Sequence, residues 1–127
     1  MALGQPCDIG VVFALGAEQG CTEDLLGDLQ FIEAAGVPIR IGQLEGRTIV
    51  LATSGPGPAA AAQACRMLLD VHRPQWLISA GFCGGLQAEL RRNDIVGATE
   101  FIDRPELSAA LADALSKAST AGIPAPH

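Results

Sequence analysis

"TIVLATSGPGPAAAAQA", residues 48–64, decides how this chain is read. Its β-branched apolar start has the character of a buried strand. Two glycines then make a tight turn, and an alanine run forms a helix with proline at its first position. Strand, turn and helix in succession are the building unit of α/β proteins. Gly55, Gly57 and Ala60 also fit the G-x-G-x-x-G/A pattern of dinucleotide-binding turns. That fingerprint usually follows the first strand and has a carboxylate about 20 positions further on. Here the turn follows a later strand, and residues 75–80 (QWLISA) hold no carboxylate. Pro56 and Pro58 lack the backbone N–H groups that a pyrophosphate would use. The remaining donors of Gly57, Ala59 and Ala60 can face a small polar group at the helix start. On these residues alone the turn is a dinucleotide site, a purely structural turn or a cradle for something smaller.

Working outward, residues 7–14 read as a short buried strand bounded by Pro6 and Gly16. Residues 17–29 carry helix-like spacing, weakened by Gly20 and Gly27. Residues 38–42 and 47–53 flank Leu44-Glu45-Gly46, a hairpin connection with glycine at the turn. The helix over 58–71 closes at His72-Arg73-Pro74. Residues 75–80 are the next strand and 81–85 its turn; 94–102 form another strand and 105–119 a helix. Strands alternating with helices define an α/β fold, a three-layer α-β-α sandwich around a central mixed β-sheet. Residues 9–13, 48–53, 77–80 and 95–99 are expected to share that sheet. No internal repeat or low-complexity linker divides the chain, so residues 1–127 read as a single domain, with 121–127 as a connector.

Composition narrows the function. The 127 residues are 49% hydrophobic and 4% aromatic, which suits a buried sheet of Val, Ile, Leu and Ala. A net charge of −6, with Arg91-Arg92 as the one adjacent pair of cations, argues against a nucleic-acid partner; that pair is expected on a solvated surface. No apolar run reaches the roughly 18 residues that span a bilayer, and no secretory signal opens the chain, so no membrane partner is expected. Cys7, Cys21, Cys65 and Cys83 lack metal-ligand spacing and read as reduced thiols of a cytoplasmic protein. His72 and His127 are too isolated for a zinc site.

Three segments carry a more specific signal together: "DIGVVFALGAEQ" (8–19), "IGQLEGRTIVLATSGPGPAAAA" (41–62) and "PQWLISAGFCGGLQAELRRNDIV" (74–96). The order of a G-x-G turn with a small-residue helix, a strand followed by G-x-x-G-G-L, and then "NDIV" resembles the nucleoside phosphorylase and nucleosidase superfamily. The resemblance is particularly to methylthioadenosine/S-adenosylhomocysteine nucleosidases and runs over residues 8–103. The resemblance implies an enzyme of purine nucleoside metabolism that cleaves an N-ribosyl bond by hydrolysis. The alternatives are phosphorolysis, a glycosyl transfer to phosphate, and a truncated nucleoside-binding domain without catalysis. It also implies a small nucleoside substrate, phosphate if the reaction is phosphorolysis, no cofactor, and a homo-oligomer, a dimer.

Residue by residue, the resemblance makes Glu18 the carboxylate that activates the attacking water. Ala14 matches a small residue beside the ribose and the substrate tail. Pro56 closes over the sugar within the Gly55–Gly57 turn, which would cradle a ribosyl group. Phe82, Cys83 and Gly84 match the lining of the ribosyl and base pocket. The chemistry suits these residue types. Cleavage passes through an oxocarbenium-like state, a carboxylate can take the proton of the water attacking C1′, and glycine lets backbone approach a sugar without a Cβ clash. Glu18 is equally the residue a helix favours in its first turn.

Two departures qualify the expectation. Many family members carry Ser or Thr where Phe82 stands, and a phenyl ring makes no such hydrogen bond. Family members are also about twice as long, and the glutamate that grips the ribose hydroxyls and the aspartate that protonates the leaving base have no counterpart here. The chain reads as the N-terminal half of a nucleosidase-like protein, with an incomplete fold, expected to be inactive by itself.

Overall fold

A computed structural model describes residues 6–98, together with Asp113 and Ser116. The chain divides into two compact units, 1–83 and 84–127. The first contains β1 (Ile9–Phe13), α1 (Gly16–Asp24), β2 (Gly27–Ala34), β3 (Val37–Leu44), β4 (Arg47–Thr53), α2 (Pro58–Val71) and β5 (Trp76–Ser79). The five strands form one mixed sheet in the order β2-β3-β4-β1-β5. β1 lies at its parallel centre, with Val11 opposite Leu51 on β4 and Ile78 on β5. β2, β3 and β4 form an antiparallel meander.

Alternation along the strands divides the core between the two faces. Val12, Val50 and Ala52, with Ile39 and Ile41 of β3, pack against Ala64, Met67 and Leu68 of α2. Val11, Phe13, Ile49 and Leu51 pack with Leu26 on the other face, where α1 also reaches Thr53 at the end of β4. The two helices therefore cover opposite faces, and the first unit is the expected α/β arrangement of three layers about a mixed sheet. His72 caps the end of α2 as expected, its N–H bonded to the Leu68 carbonyl.

Two expectations are corrected. The helix expected to run to Leu29 ends at Asp24, and Gly27–Ala34 is an edge strand. α1 closes at Leu25, whose N–H bonds to the Thr22 carbonyl, and β2 gains an antiparallel ladder with β3, irregular between Gly27 and Gln30, across the tight turn at Ala35-Gly36. Both turn residues are left-handed, at φ 53° and 78°, like Glu45 and Gly46 in the β3–β4 hairpin, at φ 50° and 77°. Such primed turns match the strand twist. The second correction concerns the strand expected over 94–102. Its described residues, Asp94 to Ala98, are not in a strand. In the second unit, Asn93 takes a left-handed φ of 74°, while Asp94 accepts the Arg91 N–H and returns a backbone bond to it. This local turn takes up the backbone groups with which a strand would begin. Arg91 and Arg92 are both exposed. The helix expected over 105–119 lies outside the described residues except for Asp113 and Ser116, which are helical.

Candidate active site

The carboxyl ends of the parallel strands β1, β4 and β5 meet at one edge of the sheet. After β1 the chain passes into α1 on one face, and after β4 into α2 on the other. That divergence is the switch point at which open α/β sheets place their ligands. Backbone hydrogen bonds hold the three strand ends together. Ser54 N–H donates to the Phe13 carbonyl at 2.8 Å, Gly55 N–H to Ala14 at 3.0 Å, and Ala80 N–H to Val12 at 3.1 Å.

Glu18 occupies the first turn of α1, and its carboxylate accepts three backbone N–H groups. Oε2 takes those of Ala14 and Leu15, both at 3.1 Å. Oε1 takes that of Phe82 at 3.2 Å. The first two are local and are what a helix start demands of an acidic residue. The third reaches 64 residues along the chain, to the turn after β5, and helix capping does not require it. A carboxylate has about four lone-pair directions. Among the described residues three are used, which leaves Oε1 one direction for a further donor such as water.

Gly81 faces the same carboxylate. A Cβ built there would lie 3.0 Å from Oε1 and 3.1 Å from both the carboxyl carbon and Oε2. Absence of a side chain at 81 is thus what admits Glu18. Gly55 and Gly57 serve differently, because a Cβ at either position would meet nothing within 4 Å. Their left-handed φ values of 84° and 101° explain them, with Gly57 capping the start of α2 and Pro58 following in its first turn. Ser54 Oγ braces the turn through a 2.7 Å bond to the Gly55 carbonyl.

The structure therefore brings Glu18 into direct contact with both Ala14 and Phe82 and joins Gly55 to them through Ala14. Pro56 and Gly57 follow in the same turn, and Cys83 follows Phe82 with an exposed thiol. Gly84 opens the second compact unit. Phe82 is 75% exposed. A phenyl ring indeed supplies no hydrogen bond, but the residue's main chain does. Arg40 lies 3.7 Å from Glu23 and 4.5 Å above the Phe31 ring. Sequence reasoning missed Gln19, 3% exposed, whose Oε1 accepts the Thr53 hydroxyl at 2.6 Å. No periodicity distinguishes it from a solvated helix residue.

A carboxylate held by backbone donors at the switch point of an open α/β sheet is the class of site these residues define. A family model described as the phosphorylase superfamily matches residues 8–124, and the chain belongs to that superfamily. The 5′-methylthioadenosine/S-adenosylhomocysteine nucleosidase of Colwellia psychrerythraea is 34% identical over 91 residues, 72% of this chain and 37% of that protein. The protein of the same name from Tolumonas auensis is 33% identical over 88 residues, 69% of this chain and 38% of the relative. The crystal structure of the Colwellia nucleosidase with adenine superposes with a TM-score of 0.64, covering 72% of this chain and 38% of that one at 34% identity. A Streptococcus pneumoniae nucleosidase bound to a transition-state inhibitor gives 0.65 at 26% identity, covering 70% and 39%. This chain thus spans less than two-fifths of the length of the curated relatives it matches.

Proposed function

We propose that the protein hydrolyses the N-ribosyl bond of a purine nucleoside of the 5′-methylthioadenosine type, and that Glu18 is the base that activates water. The long-range bond from the Phe82 N–H to Glu18 carries this reading. It fixes a carboxylate at the edge where the β1, β4 and β5 turns converge, with one acceptor direction unused. A water held there would surrender its proton to Glu18 as it attacks C1′, and the negative charge would favour the oxocarbenium-like state on the sugar. The Gly55–Gly57 turn lies within one hydrogen bond of Ala14 and would receive the ribosyl group, with Pro56 over it. Phe82 and Cys83 would line the ribosyl and base pocket, Phe82 offering an exposed ring for stacking. Similarity to two nucleosidases above 30% identity supports hydrolysis over phosphorolysis.

Residues 1–127 are proposed to be part of one nucleosidase-like domain. The more than 60% of the relatives' length beyond the matched region would supply the grip on the ribose and the acid for the departing base. General acid catalysis alone is worth about 10²–10⁴-fold, so this segment by itself is expected to turn over far more slowly than the complete protein. Four free thiols support a reducing, cytoplasmic setting. The exposed apolar residues Trp76, Leu77 and Ile78 of the edge strand β5 support its being covered by further protein of the same domain, and a homodimer is what the family resemblance implies. The test is adenine release from 5′-methylthioadenosine by the full-length protein, with and without phosphate. Phosphate-independent release with a free ribosyl product is expected. Release that requires phosphate and yields a ribosyl phosphate would overturn hydrolysis, and no release would overturn the enzymatic reading.

A further inference from the structure

The helix that carries Glu18 has little apolar attachment. α1 is nine residues long, and Gln19 is its one buried residue. Its attachment is polar and runs as a chain across one face of the sheet. The Thr53 hydroxyl, at the end of β4, donates to Gln19 Oε1 at 2.6 Å. Gln19 Nε2 donates to Glu23 Oε2 at 3.2 Å, and Glu23 Oε1 lies 3.7 Å from Arg40 Nε on β3. Glu18 and Gln19 are adjacent, so whatever fixes one backbone position fixes the other. The Phe82 bond to Glu18 is long and exposed; a small rotation of α1 would break it while the bond from Leu15, the helix N-cap, moves with the helix.

The geometry points to Thr53 and Gln19 as positioning residues for Glu18: the half-buried hydroxyl–amide bond sets the orientation of α1 at which the carboxylate reaches Phe82. This rests on the reading of Glu18 as the base. Thr53 terminates the strand whose following turn would hold the ribosyl group, so one residue ties the base to the sugar cradle. Positioning errors of about 1 Å can cost about 10²-fold in rate, which makes such a tether consequential although neither residue touches the substrate.

The test compares Thr53→Val, which keeps the shape and removes the hydroxyl, with Thr53→Ser, which keeps the hydroxyl. Gln19→Met, which keeps length and burial but removes the amide, is the second route to the same break. Amide NMR of the 127-residue chain reads the contact. Thr53→Val and Gln19→Met are expected to shift the Phe82 resonance in the direction produced by Glu18→Ala, which removes the acceptor, while Thr53→Ser stays at the wild-type position. In the full-length protein, kcat is expected to fall about tenfold or more in the first two with KM little changed, and to return in Thr53→Ser. A Phe82 resonance left in place by both breaking variants would overturn the tether and leave Glu18 as the base. Turnover that survives Glu18→Gln would instead overturn the base reading on which the tether rests, and that arm identifies this case by itself.

Discussion

Gly81→Ala isolates the contact on which the site depends. The new Cβ would stand 3.0 Å from Glu18 Oε1 and 3.1 Å from the carboxyl carbon and Oε2, several tenths of an ångström inside ordinary van der Waals contact. The carboxylate must retreat. It is held behind by the Ala14 and Leu15 N–H groups at 3.1 Å, so the bond that gives way is the one to Phe82, already 3.2 Å long. A hydrogen bond to a charged group contributes about 1.5–3 kcal/mol, and exposure of this one reduces that toward about 1 kcal/mol. The measurement is a double-mutant cycle by urea denaturation of the 127-residue chain. Gly81→Ala is expected to cost about 1 kcal/mol with Glu18 present and close to nothing in a Glu18→Ala background. An equal cost in both backgrounds would show that the alanine strains the turn for reasons unrelated to the carboxylate, and would refute the reasoning.

Three further outcomes are expected. Gly42→Ala should cost about 1–3 kcal/mol by overpacking, because its Cβ would fall 2.6 Å from the Leu26 Cβ and 3.2 Å from the Gly27 carbonyl; a thermal melt unchanged from wild type would contradict this. Ala35→Asn should stabilise the chain by about 0.5 kcal/mol, since φ at 35 is 53° and asparagine tolerates the left-handed region better than alanine; denaturant midpoints decide it. Burial and, less strongly, the charge of Asp8 push the Cys7 thiol from 9.0 up to about 11. The folded chain then keeps a proton that the unfolded chain releases, so stability complete below pH 9 declines as pH rises toward 11. The slope of stability against pH in that window should be flatter in Cys7→Ala.

Legibility followed the physics of each element. β1, β4 and α2 were readable because their signals are local: apolar runs with both faces covered, and a proline-opened helix with a periodic apolar stripe. β2 was not. Leu25, Leu26 and Leu29 among carboxylates imitate a helix face, and Ala35-Gly36 is a weaker turn signal than the asparagine–glycine pairs that usually announce such hairpins. What makes Gly27–Ala34 a strand is its ladder with β3, a tertiary fact. The described part of the strand expected at 94–102 failed in the same way, since an apolar Ile-Val pair does not specify a partner. At the site, Glu18 and the turns were found through family resemblance, whereas the Phe82 main-chain donor and the Thr53–Gln19 bond depend on backbone placement that side-chain identity does not encode.

The most direct test of the central claim is steady-state cleavage of 5′-methylthioadenosine by the full-length protein carrying Glu18→Gln, followed through released adenine. Glutamine preserves size and can still accept the Phe82 N–H, but it is not a base. The account predicts a loss of about 10²–10⁴-fold in kcat with the fold intact by circular dichroism. Turnover within a few-fold of wild type would contradict it.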